Sequence, residues 1–174
     1  MKKFICLLII FVFTVCAAQS VTLSGGVSYT VNEARQIAFD GVAQKIDMSK
    51  YKEYFVDKNF EKNQELLDRG KTRYRDRELT KFSDGAYAIS YKDNKSIGFY
   101  YDKKGHLELI DFIEYRDYPK RSFKYDRNGK LDSIALVVSG DEQYLFEPTG
   151  ELGAHWIGKN CYNEKGQLVL TREY

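Results

Sequence analysis

Hydrophobic and polar positions follow three successive patterns along the chain. From Phe4 to Ala18 the residues are apolar, broken only by Thr14, behind a basic Met1-Lys2-Lys3 start. That run of 15 residues matches the core of a signal peptide. It is short of the roughly 20 residues a spanning helix needs. Residues 1–18 therefore read as a leader. Cys16-Ala17-Ala18 suits a cut before Gln19, and Ala18-Gln19-Ser20 suits a cut before Val21. Residues 19–29 are rich in Ser and Gly and read as a loose connector.

The second pattern, over 30–70, is helical. Thr30-Val31-Asn32-Glu33 is a T-x-x-E capping box, in which each side chain takes the other residue's amide. Val31, Ala34, Ala38 and Val42 recur at three- and four-residue steps, with Ile37 and Ile46 beside them. This predicts a helix with one apolar stripe, running through Gly41. A weaker, highly charged helical stretch is predicted around Ser49–Asp68, carrying Tyr51, Phe55, Phe60 and Leu67 and closing at Gly70. An irregular solvated connector competes with it.

From Thr72 the helical spacing disappears. Tyr, Phe, Ile, Leu and Val alternate with charged residues. Turn signals recur at Ser83-Asp84-Gly85, Lys92–Lys95, Pro119, Ser139-Gly140-Asp141 and Gly158-Lys159-Asn160. Pro119 and Pro148, the two prolines, both fall in predicted turns. The expected fold is α+β, mainly β. One or more N-terminal helices pack on an antiparallel β-meander of about 8–10 short strands spanning 71–174.

Within the meander one motif recurs, [YF]-[DEN]-x-x-G-x-L. Its four copies are Tyr101-Asp102…Gly105…Leu107, Tyr125-Asp126…Gly129…Leu131, Phe146-Glu147…Gly150…Leu152 and Tyr162-Asn163…Gly166…Leu168. The copies start 24, 21 and 16 residues apart, so the unit is elastic. Phe99, Phe123 and Tyr144 add an aromatic two positions earlier in three copies. The spacing fits a hairpin whose x-x-Gly loop is a type I turn closed by a Gly in the left-handed region. An Asp or Asn before the loop accepts turn amides, and a Glu reaches them less comfortably. In this register Tyr101 faces Leu107 and Asp102 faces His106, and Phe99 with Leu109 extends the same face. Lys124, Asp126, Lys130 and Asp132 are expected on a charged opposite face.

These residues resemble the tyrosine-aspartate (YD) repeats of the RHS family of bacterial shell proteins, most closely over Phe123–Leu131. The pattern also looks like that of MORN-type repeats. The resemblance covers about residues 97–174 and implies curling β-sheets that act as scaffold or container. Four irregular copies are few for a shell, so only hairpin geometry carries over, and no functional residue does.

Charge and chemistry narrow the function classes. The formal charge is +2, and Lys2 and Lys3 account for all of it. A neutral remainder has no global field for nucleic acid or an anionic membrane. After the leader two His and one Cys, Cys161, remain, too few for a common zinc site or an internal disulfide framework. No metal or other cofactor is expected. Cys161 reads as an inert thiol, with pairing between chains or with His155 across the hairpin as alternatives. His106 follows a turn Gly and reads as exposed. The basic-aromatic clusters at Tyr74–Arg77 and Tyr115–Arg121 read as solvated strand ends.

No catalytic residue is assigned. The expectation is an exported, non-catalytic binding or interaction module of the bacterial cell envelope or exterior, secreted or periplasmic. Its partner would be a protein or an envelope polysaccharide, with no nucleic acid and no integral membrane segment once the leader is removed. A lipoprotein anchored through Cys16 is less favoured, because Val15 stands where a lipobox wants a small residue. The alternatives are a secreted hydrolase using carboxylates, and an inhibitor or immunity-like partner of another protein.

Overall fold

The computed structural model describes residues 29–114 and 117–172. The leader, both cleavage positions, Cys16 and most of the 19–29 connector lie outside the described residues, as do Tyr115 and Arg116 of the second basic-aromatic cluster. Two α-helices, α1 (Val31–Phe39) and α2 (Phe60–Asp68), flank a 3-10 helix at Met48–Tyr54. Eleven strands follow: β1 (Arg73–Tyr74), β2 (Arg77–Lys81), β3 (Tyr87–Tyr91), β4 (Asn94–Tyr101), β5 (Leu107–Ile113), β6 (Lys120–Asp126), β7 (Leu131–Val137), β8 (Glu142–Phe146), β9 (Leu152–Ile157), β10 (Asn160–Tyr162) and β11 (Leu168–Thr171). They pair antiparallel in sequence order, so the fold is the expected α+β meander with one strand more than the upper count. No helix among the described residues is long and apolar enough to cross a membrane.

Local chemistry explains where the helices start and stop. The capping box forms: Glu33 N–H donates to Thr30 Oγ1 at 3.3 Å, and Thr30 N–H donates to Glu33 Oε2 at 2.8 Å. α1 ends at Phe39 and does not continue to Ile46 as its stripe predicts, because Gly41 turns the chain at φ +67°. The second helical stretch also divides. Asp47 caps the 3-10 helix through Ser49 N–H at 2.8 Å, Phe55 closes it in the right-handed helical region, and Val56 forms an isolated bridge with His106 before α2 begins. α2 closes in a Schellman motif, with Gly70 N–H to Leu67 O at 3.0 Å and Lys71 N–H to Leu66 O at 2.9 Å.

All three helices lie on one face of the sheet. Phe39 meets Phe146 edge-on, Tyr51 meets Phe112, Tyr54 stacks on Phe99 at 4.2 Å, and Phe60 contacts Tyr87. Ala34 and Ala38 are fully buried, where small side chains let α1 approach β7 closely. Buried tyrosines place their hydroxyls on the helical segment: Tyr125 OH donates to Ala43 O at 3.0 Å and Tyr144 OH to Tyr29 O at 2.7 Å. An aromatic core built this way keeps its polar atoms bonded.

The strand registers correct two expectations. Tyr101 does face Leu107, but Phe99 pairs with Ile110, and Leu109 falls opposite Tyr100 on the other face. A bulge after the motif Leu inserts one residue and shifts the alternation. It recurs in each motif hairpin, so Phe123 pairs with Ile134, Tyr144 with His155, and Asn160 with Thr171. The opposite face is therefore only in part the charged surface expected from Lys124, Asp126, Lys130 and Asp132. Lys124 and Asp126 lie on it, opposite Asp111 and Leu109, whereas Lys130 belongs to the turn and Asp132 sits in the bulge. The face itself carries half-buried Ala88, Leu109, Ala135, Leu145 and Ala154 around a buried Asp111.

Candidate functional site

The four motif turns join β4 to β5, β6 to β7, β8 to β9 and β10 to β11. In a meander alternate turns share one side of the sheet, so the sixteen motif residues form a row along that side and do not converge on one point. In each turn the Gly N–H donates to the C=O three residues back, at 2.8–3.0 Å, and the Gly holds a φ between +72° and +89°. Asp102, Asp126 and Asn163 each accept two turn amides on Oδ1, at 2.8–3.0 Å. In the third turn Thr149 Oγ1 is the side-chain acceptor for Glu151 N–H, at 3.4 Å. Glu147 carries an extra methylene that carries its carboxylate past the turn amides.

The N-terminal segment crosses this row in reverse order. Residues 55–57 bridge the first turn: Asp57 N–H donates to Gly105 O at 2.8 Å, and Leu107 N–H donates to Phe55 O at 2.9 Å. Residues 44–46 bridge the second: Ile46 N–H donates to Gly129 O at 2.8 Å, and Leu131 N–H donates to Gln44 O at 2.9 Å. At the third turn Arg35 Nε donates to Gly150 O at 2.6 Å, while its other nitrogens hold Asn32 and Glu164.

The motif aromatics are core. Tyr101, Tyr125 and Phe146 are buried, and Tyr162 is half-buried. The leucines separate. Leu107 and Leu131 are each 2% exposed, whereas Leu168 is 56% exposed, and its neighbours Val169 and Leu170 are 57% and 56% exposed. These three residues form most of β11, the last strand of the sheet. Beside it a cleft of about 230 Å³ is lined by Val137, Ser139, Asp141, Gln143, Trp156 and Arg172. The Arg172 guanidinium lies 3.5 Å from the Trp156 ring centroid and covers one face of that ring.

The titratable clusters elsewhere are tied into the fold. Asp57 accepts Tyr87 OH and Asn63 Nδ2, both at 2.7 Å, and Asn59 N–H at 2.8 Å, locking the start of α2 to β3. Burial, reinforced by Asp57, drives the Tyr87 hydroxyl far above its ordinary value. Glu142 Oε1 takes His155 Nε2 at 2.8 Å and Tyr144 OH at 3.0 Å, and the His155 ring stacks on Tyr144 at 3.9 Å. Cys161 meets the backbone of His155 but not its ring. It faces Trp156 in the register, which puts its side chain on the opposite face, and burial pushes its thiol up. His106 is exposed, with Nδ1 3.3 Å from Asp102 Oδ2. Asp111 is buried between Tyr100 OH at 3.4 Å and Lys124 Nζ at 3.8 Å; burial raises its carboxyl, and Tyr100 is pushed up to about 12. Among the described residues no group of three or more His, Cys, Asp and Glu side chains could hold a metal ion.

No family model, curated protein or solved structure matches this chain. Sequence reasoning passed over β11 as a surface. The available signal was Leu168-Val169-Leu170, three consecutive apolar residues where a half-buried strand would alternate.

Proposed function

We propose that this chain is an exported, non-catalytic interaction module of the bacterial cell envelope or exterior, which holds a protein partner through the C-terminal end of its sheet. The observation that carries this reading is β11, an edge strand with three consecutive aliphatic side chains more than half exposed. Edge strands are templates for another chain, and soluble proteins normally blunt them with charge or shortness. The opposite edge is blunted in this way, since β1 has two residues, Arg73 and Tyr74. Export is supported by the Lys2-Lys3 start and the apolar run from Phe4 to Ala18. An envelope polysaccharide is the weaker partner, because Arg172 already covers one face of the Trp156 ring.

The test is photo-crosslinking of the full chain in envelope extract and culture fluid. A photoreactive residue at Val169 is expected to trap one defined protein, and the same residue at Lys58 is not. Equal labelling from both positions, together with turnover in a hydrolase panel, would overturn the reading. Intact mass of the exported form checks cleavage before Gln19 or Val21 against lipidation at Cys16.

A further inference from the structure

The motif turns do more than reverse the chain. The left-handed Gly and the following bulge turn two main-chain groups outward, the Gly C=O and the Leu N–H, two residues apart. At the first turn both are taken by one bridging segment, through Asp57 N–H and Phe55 O. At the second both are taken by another, through Ile46 N–H and Gln44 O. The two segments share no side-chain pattern, so the site reads backbone. Each offers a C=O at residue i and an N–H at residue i+2. Each also sends one large apolar side chain, Phe55 or Ile46, against the core, while the middle residue, Val56 or Lys45, faces solvent.

The fourth hairpin repeats the geometry. Tyr162 faces Leu168, the bulge lies between Cys161 and Tyr162, and Gly166 holds φ +72°. What differs is occupancy. A Cβ built on Gly105 would lie 2.8 Å from Phe60 Cδ2, and one on Gly129 would lie 2.2 Å from Ile46 O. One built on Gly166 meets nothing within 4 Å among the described residues. Leu168 is 56% exposed where Leu107 and Leu131 are 2% exposed.

We propose that the fourth hairpin is a receptor for a short bridging segment of another polypeptide, held by Gly166 C=O and Leu168 N–H with an apolar side chain laid on Leu168. This rests on the interaction-module reading and names the partner's chemistry. The interface filled twice by bridging main chain continues onto a hairpin of the same register at the last strand of the sheet. Main-chain bonds supply the anchoring and the apolar side chain supplies the selectivity.

The probe is a synthetic peptide copying Lys52–Lys58, the segment that fills the first turn, titrated into the 15N-labelled full chain. Saturable amide shifts confined to residues 165–170 are expected. Methylating the peptide nitrogen that corresponds to Asp57 removes the donor to Gly166 and leaves the protein untouched; binding is expected to weaken at least tenfold. Leu168→Glu is expected to weaken it similarly, with a melting curve confirming that the variant folds. Shifts elsewhere, no shifts, or equal binding of the methylated peptide would overturn the proposal. Binding that appears only after deletion of residues 19–28 would assign the place to this chain's own segment. Concentration-dependent dimerisation that protects β11 would assign it to a second copy, and either result also overturns the proposal. A failed peptide with a retained Val169 crosslink leaves the interaction module standing, whereas loss of both removes it.

Discussion

Gly129 and Gly166 hold the same motif position and nearly the same backbone, at φ +78° and +72°, yet their surroundings differ. A side chain at either costs about 1–2 kcal/mol for the left-handed conformation. At Gly129 the new Cβ would also meet the Ile46 carbonyl and break the bridge to the second turn. Gly129→Ala is therefore expected to cost about 3 kcal/mol or more, and Gly166→Ala only the conformational part, as read from urea unfolding. Asp111 offers a second residue-level test. Burial raises its folded-state pKa above the unfolded one, despite Lys124. Its contribution to stability is thus full below the unfolded pKa and is lost as pH rises through the folded value. Asp111→Asn is expected to melt higher than the wild type at pH 7 by about a few degrees. The gap should close on acidification below about pH 4. A melting series from pH 3 to 8 reads both ends.

At the scale of the element, the hairpins divide by the residue that opens them. Asp126 Oδ1 holds two turn amides, and Asp126→Ala is expected to cost about 1 kcal/mol. Glu147→Ala is expected to stay within about 0.5 kcal/mol, since Thr149 serves that turn. Chemical unfolding of the two variants side by side checks the contrast. The turns were legible because their chemistry is local: x-x-Gly with an Asx residue admits few geometries. The bulge was legible only in part. Leu107 and Ile110, like Leu131 and Ile134, are buried at a spacing of three, and the sequence shows Leu-x-x-Ile in both copies. A strict period of two put Leu109 on the wrong face. The helices show the same limit. The capping box and Gly70 mark ends by local bonding, whereas the stripe from Val31 to Ile46 ran on through a Gly that breaks it.

For the whole molecule, the N-terminal segment and the row of turns form one interlocked unit. Amides of Ile46, Asp57, Leu107 and Leu131 are tied across elements, and native-state hydrogen exchange is expected to find them far slower than the amides of β11. Composition and periodicity were sufficient for the class of fold: a capped helical segment, then strands with aromatic residues on one face. These features follow from hydrophobic period and turn chemistry, which act over a few residues. Which leucine of the motif is covered did not follow from them. Leu107, Leu131 and Leu168 hold the same motif position, and the cover on Leu107 and Leu131 came from chain segments 50 to 90 residues away in sequence, joined through C=O and N–H groups that every residue carries alike. Main-chain pairing leaves no mark in side-chain identity, so although Leu168-Val169-Leu170 sets the fourth hairpin apart, only the folded chain shows which segment covers which turn.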